Sequence, residues 1–409
     1  MEPFLEKHLA ELRALGLIDA KAERVVALMD RAAEELYSSE LEHYLAREVN
    51  PEHRTVLAKH GLCGLQVPES YGGLGASAVA YALAFERLGQ VGLGPVTMLD
   101  VQCSLTEIPL LYYGTEEQKS RYLPRAARGE LFMAFCLTEP EAGSNAAGLA
   151  AQYYRDGDGY RIRGTKYLIT NGSFADTFIV FAREKEGGRI SAFLVDREQN
   201  GGERLQVSLH LGEKLGLFTS DTTLLEFNDA YAPRENLLGE EGKGLHVAYA
   251  GLLSGRIGIA AGCIGVMEDC LRACLERAKH RHQFGKPLAK HQLIQDYIAA
   301  IAKRLEWGRW PVYMAALAKD RYEANRQDAA LRAEADYRSA LAKNIATRAA
   351  WEAADYALQL FGGFGYSTLS PVGRHFLDTR VTRIYEGAEG VLDLKIASML
   401  LGKEYEAYS

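Results

Sequence analysis

Apolar positions recur at helical spacing through most of the first 130 residues. Residues 20–47 form one long amphipathic segment, which Asn50-Pro51 interrupts. Pro51 suits the first turn of the next helix, predicted over 51–60. Helical patterns follow at 76–89, 96–112 and 115–127, the last opening with Thr115 and Gln118 at capping-box spacing. The stretch GLCGLQVPESYGGLGAS, 61–77, is rich in glycine but too apolar for a flexible linker, so it reads as an ordered loop.

Alternation replaces the helical period at about residue 131. Residues 151–164 read as a hairpin around Asp156-Gly157-Asp158-Gly159. Further strands are predicted at 177–183, 190–195, 205–210 and 222–227, which together make a small antiparallel sandwich or barrel. No βαβ alternation occurs, which argues against a Rossmann domain. Helices return at about 243, over 244–279, 291–325, 328–361 and 390–402, compatible with an antiparallel four-helix bundle. Pro311 is expected to kink or break the second of them. The expected architecture is α+β and multidomain: an all-α domain over 1–130, a middle β-barrel or sandwich over 131–242, and a C-terminal four-helix bundle over 243–409.

Composition narrows the class. With 409 residues, 48% hydrophobic and 25% charged, the chain can bury a sizeable core across two or three domains. A formal net charge of −7 argues against a general nucleic-acid partner. The first residues, MEPFLEKHLAELRALG, carry glutamates and no secretory apolar region. No run reads as long enough to span a bilayer, so a cytoplasmic protein without a membrane partner is expected. The six cysteines make no zinc pattern; Cys263, Cys270 and Cys274 share a helix face and read as a core stripe.

Five stretches offer chemistry. In TRIYEGAEGVLDLK, 382–395, Glu386 sits where a short helical element over 375–383 gives way to another helix, and a carboxylate in such an apolar junction can serve as a base. From spacing alone the plainer reading is a solvated glutamate at a helix start. AFCLTEPEAGSNAAG, 134–148, supplies hydroxyls and free backbone N–H groups. In GTKYLITNGS, 164–173, Tyr167, Ile169 and Asn171 alternate onto one face that could line a planar cofactor. RHQFGKPLAKHQ, 281–292, is basic, and its Phe284-Gly285 is expected to bury an aromatic beside a diphosphate clamp. QLFGGFGY, 359–366, ends a helix with a Gly-Gly cap.

In this order, and with VPESYGGLG near the N-terminus, these motifs resemble the acyl-CoA dehydrogenases over essentially the whole chain. The resemblance implies non-covalent FAD and conversion of an acyl thioester to its trans-2-enoyl product. It places Phe135, Leu137, Thr138 and Ser144 along the flavin, with Tyr167, Ile169 and Thr170 flanking its ring. Arg281, Gln283 and Phe284, with His291, Gln292, Gln359, Leu360, Gly362 and Gly363, are implied to hold the FAD of a neighbouring subunit, and Ala388 lies near it. Arg256 matches the arginine by the thioester channel, where Ser144, Glu386 and Gly387 also face substrate, and Glu386 falls on the catalytic base. The implied partners are an acyl-CoA or acyl-carrier substrate, an electron-transfer flavoprotein or similar acceptor, and further copies of the chain in a homodimer or homotetramer.

Some positions depart from the family pattern. Tyr167 stands where tryptophan is common, Asn145 and Leu253 replace aspartates, and Phe364 replaces an asparagine. Ala388 and Gly390 remove two polar groups after Glu386-Gly387. These changes keep open a carrier-bound acyl substrate, or a flavin oxidase or monooxygenase on the same fold.

Overall fold

The computed structural model describes residues 7–209 and 214–405. Its first part is helical: α1 (Lys7–Ala14), α2 (Ala20–Ala46), α3 (Glu52–Lys59), α4 (Ala78–Gly89) and α5 (Leu93–Asp100). Asp19 caps α2 by accepting from Ala22 N at 2.7 Å, and Arg47 closes it in a left-handed turn. The predicted helix over 96–112 is more complex. α5 widens into a π-turn at Val101–Thr106 before α6 (Glu107–Tyr113), a geometry that often marks functional sites. α7 (Glu116–Ala127) carries the expected capping box, with both Thr115–Gln118 bonds made.

The middle part is one eight-stranded sheet: β1 (Met133–Cys136), β2 (Gln152–Asp156), β3 (Gly159–Thr170), β4 (Thr177–Glu184), β5 (Ile190–Asp196), β6 (Leu205–Leu209), β7 (Thr222–Pro233) and β8 (Leu237–Leu238). Its order is β6-β7-β3-β2-β4-β5-β8, with β1 beside β4. The hairpin at 156–159 joins β2 to β3 as the turn residues predict. The sheet is not wholly antiparallel, because β1 and β2 both run parallel to β4. They reach it by crossovers rather than tight turns, which alternation alone does not disclose. The predicted strand over 205–210 ends at Leu209, and His210 lies outside the described residues. Phe178, Phe193 and Phe227 pack the interior of this unit.

The last part holds α8 (Gly244–His280), the short hairpin β9 (His282–Gln283) and β10 (Lys286–Pro287), α9 (Gln292–Ala324), α10 (Ala329–Phe361), α11 (Gly373–Thr382) and α12 (Glu389–Leu401). Pro311 does not break α9, which runs through it. One apolar window of α8 is long enough to cross a bilayer, against the expectation from sequence. That window is 89% buried inside the protein, as the central helix of a bundle must be. Cys263, Cys270 and Cys274 all face the core as free thiols. α8 touches α4 backbone to backbone: a Cβ on Gly265 would stand 2.0 Å from Glu86 O, and one on Gly89 2.1 Å from Gly262 O. Glycine is what permits this approach, and the approach carries α5 close against α8.

Candidate active site

Glu386 occupies the linker between α11 and α12 with φ 53, a left-handed conformation rare outside glycine. The surrounding helices hold it there. Lys343 of α10 donates to Gly387 O at 2.6 Å, and Asn344 donates to Glu389 O at 3.0 Å. Arg256 of α8 reaches Glu386 O at 3.4 Å, and the Tyr385 hydroxyl meets Thr97 at 3.3 Å. The carboxyl rests on Gly255, where an added Cβ would come within 2.6 Å of Oε2. Oε2 is buried and has no hydrogen-bond partner among the described residues. Burial pushes the Glu386 pKa above the ordinary carboxylate value, against the lowering effect of an Asp100 hydrogen bond and of the Lys343 and Arg256 charges. Lys343 is itself pushed down to about 8 by burial.

Asp100 is the residue that sequence reasoning missed. It ends α5 fully buried, and its Oδ1 accepts from the Tyr81 hydroxyl at 2.6 Å. It is one of two acids, with Glu107, inside the mostly apolar helix pattern of 96–112, and that was the signal available.

A wall lies next to this base. Phe135, Leu137 and Thr138 at the end of β1 are half-buried, and Tyr167 N donates to Thr138 O at 2.9 Å. Asn171, just after β3, donates to Met98 O at 3.2 Å, two residues from Asp100, and so ties the wall to α5. The expected shared face of Tyr167, Ile169 and Asn171 does not form. A bulge puts an extra residue between Lys166 and Ile169, with Leu168 at φ 60, and turns Ile169 into the barrel core. Tyr167 and Thr170 remain half-exposed, and Ser144 is exposed.

A second group gathers at the other end of α8 and α10. Arg277 donates to Phe361 O at 2.9 Å and stacks over the Phe361 and Phe364 rings, which ties the β9–β10 hairpin to the Gly362-Gly363 cap. Arg281, Gln283, Gln292, Gln359, Gly362 and Gly363 are exposed there, and His291 sits 3.2 Å from Gln283 O. Phe284 is not buried as expected: it is 91% exposed, since it and Gly285 both take positive φ at a two-residue hairpin tip. Leu360 packs into the core, so its side chain does not face this surface.

Arg256 is 6% exposed and pairs with Asp336 at 3.0 Å, a carboxylate that also binds Lys395. Leu253, the departure three residues earlier, is packed into the core. Ala388 is the half-buried N-cap of α12.

The donor set suits FAD. Thr138, Ser144 and Thr170 offer neutral hydroxyls beside half-exposed apolar side chains. Glu139, which would repel a diphosphate, is turned inward onto Lys166 at 2.7 Å and Ala151 N at 3.0 Å. Arg281 supplies an exposed guanidinium of the fitting charge.

Comparison with known proteins agrees. The N-terminal, middle and C-terminal domains of acyl-CoA dehydrogenase match residues 22–130, 134–230 and 242–401. The chain is 41% identical over 352 residues to an acyl-CoA dehydrogenase of Bacillus subtilis, covering 85% of this chain and 88% of that one. The structure of butyryl-CoA dehydrogenase from Megasphaera elsdenii shares 34% identity and a TM-score of 0.87, over 94% of this chain and 99% of that one. A glutaryl-CoA dehydrogenase of Mycobacterium smegmatis in complex with FADH2 shares 28% identity and a TM-score of 0.85, over 96% and 97%.

Proposed function

Because the chain belongs to the acyl-CoA dehydrogenase family, and is therefore an FAD-dependent oxidoreductase that introduces an α,β double bond into acyl-CoA thioesters, we propose that Glu386 is the base that takes the α-proton. One observation carries this assignment: a carboxylate oxygen buried without a partner, on a residue held in left-handed backbone by three surrounding helices. Its raised affinity for protons, caused mainly by burial, suits a base in a dry site. The Glu386 N–H donates to no backbone carbonyl among the described residues, which leaves it free for a thioester oxygen as negative charge develops there.

FAD, when bound, accepts the β-hydrogen with its two electrons. Phe135, Leu137, Thr138, Ser144, Tyr167 and Thr170 would hold it from one chain, Ile169 only through its backbone. Arg281, Gln283, His291, Gln292 and the segment 359–363 would reach it from a neighbouring copy. The 91% exposed Phe284 and 89% exposed Tyr366, on that same surface, support a homodimer or homotetramer. Arg256 would border the thioester channel, its charge balanced by Asp336. We further place the enzyme in the cytoplasm, with a short-chain acyl-CoA as substrate and an electron-transfer flavoprotein as acceptor; the butyryl-CoA dehydrogenase likeness supports the chain length. Anaerobic reduction of wild type and Glu386→Gln by butyryl-CoA tests the assignment.

A further inference from the structure

Two carboxyls meet beside α8, and proton abstraction accounts for only one of them. Gly255 and Gly258 lie three positions apart on one helix face, each with a carboxyl seated on it. An added Cβ would stand 2.6 Å from Glu386 Oε2 and 2.1 Å from Asp100 Oδ1. Gly255 and Gly258 are about one helical turn apart, so the two carboxyls are neighbours, and each acts on the other's affinity for protons. Each nevertheless has a buried oxygen, Asp100 Oδ2 and Glu386 Oε2, that receives no donor from the other described residues. Neighbouring buried acceptors stay unsatisfied unless one of them carries a proton.

The surroundings decide which one. Glu386 faces two cations, Lys343 on α10 and Arg256 on α8, and both favour its charged form. Arg256 also pairs with Asp336, a carboxylate it shares with Lys395, and Lys343 also feels Glu389 and Cys263. No cation is among the main influences on Asp100 from the described residues. Its neighbours include the Tyr81 hydroxyl on α4, Ser104 and Cys103 in the π-turn, the Tyr385 hydroxyl, and Glu386 itself. Burial first, then the Glu386 charge, hold the Asp100 carboxyl well above the ordinary range.

We propose that Asp100 is the positioning residue of the base: as a neutral acid it donates a hydrogen bond to the Glu386 carboxylate and fixes it over Gly255. This rests on Glu386 being the base. When the substrate Cα–H bond breaks, its proton goes to Glu386 and the pair passes from one proton to two, while Asp100 keeps its own. Asp100 therefore keeps the resting base ionised despite its burial, and the base becomes neutral only in the act of abstraction.

The test compares Asp100→Asn, whose amide can still donate, with Asp100→Leu, which has nearly the same shape and cannot. In anaerobic flavin reduction by butyryl-CoA, the acid limb of the rate–pH profile should move up by about one unit or more in Asp100→Leu, a loss of about tenfold below that limb. Asp100→Asn should stay within a few tenths of wild type. Infrared difference spectra of the resting holoenzymes should show a protonated-carboxyl band in wild type that is missing in Asp100→Asn, a readout independent of turnover. An Asp100→Leu profile that keeps the wild-type limb, even at a lower rate, overturns the proposal, as does an infrared band unchanged in Asp100→Asn. Reduction that survives in Glu386→Gln instead defeats the base assignment, whatever Asp100 does.

Discussion

Lys343 donates its ammonium to the carbonyl of Gly387 at 2.6 Å, which ties the middle of α10 to the residue beside the base. The same ammonium helps keep Glu386 ionised. Burial holds Lys343 at about 8, so its charge is present at neutral pH and is lost as pH rises through that value. Replacing it with methionine removes both the tether and the charge. Lys343→Met should slow flavin reduction about tenfold or more at pH 7 and raise the acid limb, with flavin content retained. Stopped-flow rates across pH check this; an unmoved limb would show that the ammonium does not act on Glu386.

Gly255→Ala should damage the chemistry while sparing the fold. The three atoms nearest the new Cβ all belong to the far end of the Glu386 side chain, so the carboxyl moves rather than the backbone. A displacement of about 1 Å can cost about 10²-fold in rate. Circular dichroism and flavin content should match wild type, while the reduction rate falls by that order. A wild-type rate would mean that the carboxyl need not rest on Gly255.

Cofactor and assembly should be linked. If the exposed Arg281 reaches the FAD of a neighbouring copy, no isolated chain has a complete site, and binding stabilises the oligomer by mass action. Arg281→Ala should lose FAD on dilution while staying folded, and Phe284→Ser should weaken assembly. Sedimentation at several concentrations, read at the flavin band, tests both. A fully flavinylated monomer would refute the shared site.

Stability should depend on Asp378, which accepts from Leu217 N at 2.5 Å and from the Tyr44 hydroxyl at 3.2 Å. Burial raises its pKa to about 7 in the folded state, so the fold binds this proton more tightly than the unfolded chain does. The stabilising contribution is therefore full below the ordinary carboxylate range and is lost as pH rises to about 7. Asp378→Asn keeps an acceptor without a charge. Its thermal midpoint should exceed wild type at pH 8, by about 1–3 kcal/mol of stability, and the gap should close towards pH 4. An equal gap at both values would remove the titration from the account.

Much of this was legible in the sequence, for identifiable reasons. Helical and alternating periods separate the three parts, and Thr115 and Gln118 mark the start of α7 because capping is a local interaction. Glu386 stood out as an acid between two helices. Asp100 did not, since its meaning depends on the π-turn and on the glycines of a helix more than 150 residues away. The Lys166–Ile169 bulge was invisible for a similar reason: alternation continues through the sequence while the register shifts. Phe284 read as buried because it is aromatic, although a two-residue hairpin tip leaves it nowhere to pack within one chain.

The central claim is that Glu386 removes the α-proton, and anaerobic stopped-flow bleaching of the flavin band in Glu386→Gln tests it most directly. Glutamine keeps the size and hydrogen-bonding shape but cannot accept that proton, and the groups proposed to hold FAD lie elsewhere. Flavin content and acyl-CoA binding should survive, while the reduction rate with butyryl-CoA falls by about 10²–10⁴ or more. The wild-type rate should rise with pH through the raised pKa of Glu386. A Glu386→Gln enzyme that bleaches its flavin at near wild-type speed would contradict the account and place the base on another residue.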